Sequence, residues 1–292
     1  MGRAGPALIE RLAGILKKNG HNLTVAPTTG PATAGALARE HVSRGADLVI
    51  AAGGDGTINE VAEGVMHSPA ALGVLPLGTA NCLAVEIGLP RNPEHAAESL
   101  ETWRPRRIAV GRLECDGGRI QRYFLLMAGA GLDARIVYQL DAALKDRTGK
   151  FAYWVASWSL LGRRLPEFDV ETVGQTRRCS FALLSRVRNY GGDFEIAPSV
   201  SLFDNEFEVV LFEGRSSLRY VKYFLGMAFK RLEGMSGVTV LRAGMIRLAC
   251  PEDQRIYVQV DGEFAGHLPA EVRIVPDALT LLAPEEYGNG IG

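Results

Sequence analysis

The residues best suited to chemistry lie in a glycine-rich turn at 51–61, which reads Ala-Ala-Gly-Gly-Asp-Gly-Thr-Ile-Asn-Glu-Val. An uninterrupted apolar run at 48–52 leads into three glycines, and a helical pattern follows them. Glycine lets the backbone turn sharply and approach a ligand closely. The N–H groups and the dipole of the following helix favour an anion. The turn therefore predicts a binding site for nucleotide phosphates.

Asp55 is the unusual member of this turn. A carboxylate inside an anion-binding loop repels phosphate unless Mg²⁺ or a substrate hydroxyl lies between them, so we assign it a functional role. Thr57 and Glu60 have the spacing of a capping box, which any helix start can use. For these two residues the structural and the functional interpretations stay open.

A second loop at 75–84, Leu-Pro-Leu-Gly-Thr-Ala-Asn-Cys-Leu-Ala, repeats the order of strand, tight turn and helix start. Two such loops at the carboxyl ends of neighbouring strands form the kind of crevice where open α/β sheets bind ligands. For Thr79 the structural alternative is a plain helix N-cap. A purely structural role explains Asn81 less well. Neither loop is a Walker A loop or a dinucleotide fingerprint, because the required lysine and glycine spacings are absent.

The elements that must position these loops alternate between helix and strand. Apolar periodicity predicts helices at 7–18, 33–44, 58–66 and 79–87, and strands at 22–26, 48–52 and 72–75. From about residue 106 the pattern changes to strands, predicted at 107–115, 119–128, 168–173, 178–186, 207–213, 245–249, 256–260, 271–275 and 279–283. Helices at 150–162 and 218–231 interrupt them.

These patterns predict an α/β domain followed by a β domain. The first, at 1–106, is a doubly wound parallel-sheet nucleotide domain. The second, at 107–283, is an antiparallel β-sandwich with inserted helices. The tail at 284–292 is a candidate segment for returning to the first domain.

Composition fits this organisation. The chain has 292 residues, of which 47% are hydrophobic and 22% charged, so it can bury two cores. A net charge of −1 argues against a nucleic-acid partner. Four scattered cysteines suit a reducing cytoplasm better than a zinc or disulfide framework.

No apolar stretch reaches the ~20 residues of a spanning helix, which leaves a peripheral contact at the inner membrane face.

The two loops together resemble the diacylglycerol kinase catalytic-domain family, which includes bacterial soluble diacylglycerol kinases, sphingosine kinases and ceramide kinases. Gly-Gly-Asp-Gly-Thr alone also occurs in NAD kinases, and the second loop at this spacing favours the lipid kinases. The segments 128–134, 197–209 and 260–263 are similar to further family motifs, with Asn205 where the family has glycine. The family opens with a strand and an Asn-Pro phosphate loop, of which residues 1–6 resemble only the tail. We therefore expect a native start one strand earlier.

The resemblance implies ATP as phosphoryl donor, accompanied by Mg²⁺. It assigns the nucleotide contacts to Thr28, Gly53, Gly54, Asp55, Gly56, Thr57, Asn59, Glu60, Gly78 and Thr79. A turn threonine is the alternative for Thr28.

The resemblance also makes Glu263 the first candidate for the general base, with Asp55 as its competitor. From the residues alone, Asp-Gly before Glu263 reads simply as a hairpin turn. Asp133 is expected to meet the lipid head group, with a helix N-cap as the alternative.

A structural Mg²⁺ is implied at Asp204, with help from the main-chain carbonyls of Ser201 and Glu206. The alternative for Asp204 is an Asp-Asn turn.

The resulting expectation is a cytoplasmic kinase that transfers the γ-phosphoryl group of ATP to a hydroxyl of a membrane lipid such as diacylglycerol. Aromatic and basic residues at 151–164 and 220–231 are candidates for bilayer contact, although such stripes are more often core with a solvated face. The alternatives are an NAD kinase-like enzyme with a soluble substrate and a non-catalytic nucleotide- or lipid-binding module. The oligomeric state stays open, a homodimer being one option.

Overall fold

The computed structural model describes residues 5–132, 134, 164–190, 194–228, 231–232, 234–251 and 254–287. These residues form two compact units. The first combines the described residues up to Ala109 with those from Pro276 onward, and the second lies within Val110–Val275. The return to the first unit thus begins before the tail that the sequence patterns indicated.

The elements before residue 104 are α1 (Pro6–Lys18), α2 (Ala34–Ser43), β1 (Leu48–Gly53), α3 (Asp55–Val65), β2 (Ala71–Pro76), α4 (Cys82–Glu86), α5 (Pro93–Ser99) and a 3₁₀ turn, Leu100–Thr102. The strands that follow are β3 (Arg104–Cys115), β4 (Ile120–Phe124), β5 (Met127–Gly131), β6 (Phe168–Thr172), β7 (Gln175–Cys179), β8 (Phe181–Ser185), β9 (Asn189–Tyr190), β10 (Phe194–Glu195) and β11 (Phe207–Phe212). The chain continues with α6 (Arg219–Ala228), β12 (Val238–Ala243), β13 (Met245–Ala249), β14 (Tyr257–Val260), β15 (Glu263–His267) and β16 (Ala270–Ala283).

Strand β2 is the central strand of the first unit. It pairs in parallel with β1, and its residues Ala71 and Leu72 pair in parallel with Thr280 and Leu281 of β16. As predicted, β2 is buried. Strand β1 is only partly buried, because among the described residues β2 is its one strand partner.

The strand predicted at 22–26 is not formed. This segment is irregular and largely exposed, with Val25 52% exposed, and no described strand pairs with it. A strand needs a neighbouring strand with which to exchange backbone hydrogen bonds. The prediction from the apolar pattern alone was therefore wrong for this segment.

The second unit contains two antiparallel sheets. One has the order β12-β11-β8-β5-β14-β15, and in the other β7, β6, β13 and the first part of β16 are neighbours. Both sheets contribute side chains to one buried core, in which the rings of Phe124 and Phe207 stack at 5.7 Å. A parallel α/β unit followed by an antiparallel sandwich confirms the predicted fold class.

Two long predicted strands are each divided. The segment 119–128 breaks between β4 and β5, where the Asp261 carboxylate accepts hydrogen bonds from the N–H groups of Leu125, Leu126 and Met127. The segment 178–186 breaks at Ser180, whose hydroxyl donates to the carbonyl of Gly214 at 2.7 Å. Contacts made by distant residues thus set both breaks. Strand β12 had no matching prediction.

In the described part of the chain, no helix combines the length and the apolar character needed to cross a membrane. The helix predicted at 150–162 lies outside the described residues, and the helix predicted at 218–231 is α6.

Candidate active site

The two glycine loops of the first unit contact each other through their glycines. The N–H of Leu77 donates to the carbonyl of Gly53 at 3.0 Å. A Cβ atom built on Gly78 would lie 2.5 Å from the Cα of Gly54, closer than real Cβ atoms approach. Position 78 therefore requires glycine if the loops are to touch, and a Cβ on Gly54 would be in tight contact, 3.3 Å from the Cα of Gly78.

Helix α3 begins earlier than predicted, at Asp55, with Gly54 as its N-cap. The first N–H groups of a helix have no acceptor within the helix, so the first turn of α3 presents donors at the loop. The Asp55 carboxylate accepts a hydrogen bond from the N–H of Leu83 at 3.3 Å. Asp55 thus connects the start of α3 to the first turn of α4.

The capping-box interpretation of Thr57 and Glu60 is wrong. Thr57 lies inside α3, and its side chain covers Gly53, where an added Cβ would lie 2.7 Å from that of Thr57. The Glu60 carboxylate instead accepts from the N–H groups of Ala32, at 2.9 Å, and Ala34, at 3.0 Å. Glu60 therefore caps the neighbouring helix α2.

The second loop is shaped by Asn81, which is the N-cap residue of α4 and has a positive φ of 50°. Its side-chain oxygen accepts from the N–H of Gly78 at 2.8 Å, and its amide donates back to the Gly78 carbonyl at 3.0 Å. Thr79, predicted as a nucleotide contact with a helix N-cap as the alternative, is exposed two residues before Asn81, so the N-cap alternative is wrong and the nucleotide contact stays a prediction. Asn81 was noticed from its position, but its role in closing the turn depends on a backbone conformation that no sequence pattern shows.

Other predicted nucleotide contacts are placed differently. Thr28 lies in the exposed irregular segment between α1 and α2, and Asn59 is buried in α3. Gly56 lies in the first turn of α3. The roles assigned to these residues stay predictions.

Glu263 lies in the second unit and is the first residue of β15. Asp261 and Gly262, with φ of 48° and 80°, form the two-residue hairpin turn that the residues alone indicated. Glu263 is about half exposed and forms an ion pair with Arg122 at 2.9 Å. The turn is fixed by Asp261, whose three backbone hydrogen bonds hold it against the β4–β5 connection.

The loop proposed for a structural Mg²⁺ is occupied by arginine contacts. The Asp204 carboxylate accepts from Arg242 at 2.6 Å, and Arg242 also lies 3.3 Å from the Glu206 carboxylate. The Ser201 carbonyl accepts from the N–H of Asp204. Burial is the largest single influence on Arg242 and lowers its pKa, but the hydrogen bond to Asp204 and the charges of Asp204, Glu206 and Glu208 together raise the pKa above its usual range.

No group of three or more His, Cys, Asp or Glu side chains within the described ranges is placed to hold a metal ion. As they are arranged, Asp204, Ser201 and Glu206 do not fit Mg²⁺, because a guanidinium already takes the cation position.

Two of the aromatic residues proposed for bilayer contact on α6, Tyr220 and Tyr223, pack against neighbouring side chains. Tyr223 is buried, and burial raises the pKa of Tyr220, whose hydroxyl lies 2.9 Å from that of Ser180. The other candidate residues, Asp133 and 151–163, lie outside the described residues.

The α/β unit with its two abutting glycine loops and the antiparallel sandwich that follows it each correspond to a known family model. Residues 2–113 match the family model described as diacylglycerol kinase catalytic domain, and residues 126–283 match that of the YegS C-terminal NAD kinase beta sandwich-like domain.

Two curated relatives cover nearly all of the chain. A protein of Chromohalobacter salexigens named "Probable lipid kinase YegS-like" is 32% identical over 95% of this chain and 89% of its own length. The diacylglycerol kinase of Bacillus subtilis is 29% identical over 95% and 92%. The crystal structure of a diacylglycerol kinase from Bacillus anthracis superposes with a TM-score of 0.70 at 18% identity, covering 98% of this chain and 94% of that one, and supports the fold. The chain belongs to the diacylglycerol kinase catalytic-domain family and is a kinase that acts on a lipid.

Proposed function

We propose that this protein transfers the γ-phosphoryl group of ATP to a hydroxyl group of a membrane lipid, either diacylglycerol or a similar lipid alcohol. The observation that carries the proposal is the contact between Gly54 and Gly78, which joins two backbone loops beside the start of α3. Helix N–H groups in such a place bind phosphate oxygens. The kinase family implies ATP as the donor.

Asp55 is the carboxylate next to these donors. Its hydrogen bond from Leu83 holds it at the start of α3, within the proposed phosphate site. A carboxylate there is compatible with bound ATP when Mg²⁺ accompanies the nucleotide and neutralises the phosphate charge.

Glu263 is proposed as the general base that accepts the proton of the attacking hydroxyl. Its carboxylate is half exposed and therefore accessible to a substrate hydroxyl, and the 2.9 Å ion pair with Arg122 holds its position. The lipid nature of the acceptor rests on the relatives named for lipid substrates.

The proposal is tested by transfer of radiolabel from ATP to mixed micelles of diacylglycerol, monoacylglycerol, sphingosine or ceramide, with NAD as a soluble acceptor. We expect transfer to one lipid and none to NAD. Glu263→Gln and Asp55→Asn should each lower kcat by about 100-fold or more. The control is Glu271→Gln, an ion-paired glutamate of the same unit, which should leave kcat unchanged. Label on NAD alone, or full activity in both site variants, would refute the proposal.

We further propose that the protein contacts the bilayer through an exposed apolar surface, the α6 face, formed by Leu218 in the turn just before α6 and by Val221 and Leu225 of α6. These side chains are 63%, 46% and 50% exposed and follow helical spacing. Beside them lies a cavity of about 500 Å³, lined by Lys222, Leu225, Gly226, Arg231 and Met235. Apolar side chains beside cationic ones suit an anionic lipid surface.

A further inference from the structure

Arg186 is a fully buried arginine immediately after β8. Its backbone N–H donates to the carbonyl of Leu126 at 2.8 Å. Its guanidinium donates to the carbonyl of Leu202 at 2.7 Å and to that of Asp204 at 3.3 Å. A buried charge is costly unless hydrogen bonds compensate it, so these carbonyls determine where Arg186 can be stable.

The acceptors of Arg186 belong to one irregular segment at 199–206, here called the carbonyl loop. Val200, Ser201 and Leu202 in the middle of this loop are buried, so the carbonyl groups of these three residues have little access to water. Buried carbonyls require donors or a cation, since leaving them unpaired is unfavourable. Arg186 supplies both donors and positive charge from within the unit.

Arg242 of β12 contacts the same loop through other atoms. One terminal nitrogen donates to the carbonyl of Ser199 at 3.1 Å and the other to the carboxylate of Asp204 at 2.6 Å. The two arginines thus bind Asp204 at both of its acceptor groups, Arg186 at the carbonyl and Arg242 at the carboxylate.

These contacts compete with a divalent ion. Mg²⁺ needs about six oxygen ligands at ~2.1 Å in near-octahedral geometry. An ion bound to the carbonyl and carboxylate of Asp204 would lie beside two guanidinium groups that already contact these oxygens. Repulsion between like charges in this partly buried site makes joint occupancy unfavourable.

We propose that Arg186 and Arg242 replace a divalent cation in the carbonyl loop, so that the second unit of this chain folds and stays folded without bound metal. Guanidinium groups keep their charge at all ordinary pH values and bind planar arrays of oxygen atoms with several donors at once. The charge that stabilises the loop is therefore covalently part of the chain.

The first test uses the wild-type protein without nucleotide. We expect the same Tm, within about 1 °C, in EDTA and in millimolar MgCl₂ at matched ionic strength. Elemental analysis after dialysis should find far less than one Mg²⁺ or Ca²⁺ per chain. A Tm that falls in EDTA and returns with Mg²⁺, or one ion per chain, would overturn the proposal.

The second test removes each arginine's charge with Arg186→Met and Arg242→Met. Both should lower the Tm, Arg186→Met by roughly 5 °C or more, because buried carbonyls lose their donors. The control is Arg178→Met, which removes an exposed arginine paired with Asp169 in the same unit and should change the Tm little. If Arg186→Met fails to fold, Arg242→Met and the wild-type measurements still decide. A Tm for both variants equal to that of the control contradicts the proposal, and none of these readouts depends on kinase activity.

Discussion

Gly54 and Gly78 show at the scale of single residues how the proposed phosphate site is formed. The two loops contact each other at positions that have no side chain, and Asn81 closes the second loop with two hydrogen bonds. Asp55 could be singled out from the sequence because a carboxylate among glycines contradicts a purely anion-binding turn. The positive φ of Asn81 and the contact of Glu60 with α2 could not, because both depend on where the backbone goes.

Gly78→Ala should impair nucleotide binding. The new Cβ would lie 2.5 Å from the Cα of Gly54, so the loops must separate. Such overpacking typically costs about 1–3 kcal/mol, and we expect the KM for ATP to rise roughly tenfold. Steady-state kinetics and Tm measure the two effects.

The matched control for Gly78 is Gly14→Ala, on the exposed face of α1 with open space around it. Its KM should equal that of the wild type. An unchanged KM in Gly78→Ala would show that the loop contact does not support nucleotide binding.

At the scale of elements, the pairing of α2 with α3 depends on close backbone contact and on one cap. A Cβ on Gly64 would lie 2.4 Å from the Gly35 carbonyl oxygen, so the helices touch there. Glu60 then joins the α2 start to α3 through two backbone N–H groups.

Glu60→Ala should destabilise the start of α2. Losing the acceptor for the N–H of Ala34, the first residue of α2, and for that of Ala32 before the helix costs about 1–2 kcal/mol, and amide hydrogen exchange at the α2 N-terminus should accelerate. The control is Glu63→Ala, one turn further along α3, where exchange in α2 should be unchanged. Equal rates of amide hydrogen exchange in both variants would contradict the proposed capping of α2 by Glu60.

Sequence patterns located most helices and strands because their apolar period reflects burial against a neighbour. They were wrong at 22–26, where alternation is present but no described strand offers hydrogen bonds. They merged β4 with β5 and β7 with β8, because Asp261 and Ser180 break these runs through partners far away in sequence. The catalytic roles proposed for Asp55 and Glu263 rest on the family resemblance. For Glu263, local spacing alone indicates only a turn.

At the scale of the whole molecule, the α6 face is the surface through which we propose that this lipid kinase contacts the bilayer. Replacing Leu225 by Glu puts a charge where we propose that acyl chains lie. Binding to vesicles containing phosphatidylglycerol should weaken at least about tenfold, since a buried leucine contributes ~1.5–3 kcal/mol. Cosedimentation with vesicles measures this.

Val173→Glu is the matched control, because Val173 is a 98% exposed apolar residue between β6 and β7 in the same unit. Vesicle binding of this variant should equal that of the wild type. Equal weakening in both variants would show a general charge effect and refute docking through α6.

The pairing of β2 with β16 affects the order in which the first unit can fold during synthesis. Ala71 receives its partner Thr280 from more than two hundred residues downstream, after the chain has passed through the entire second unit. Because the ribosome adds roughly 5–20 residues per second, several seconds or more separate the synthesis of β2 from that of this neighbour. The first unit is thus begun first and completed last, and a nascent chain halted before β16 leaves one edge of β2 open to wrong partners.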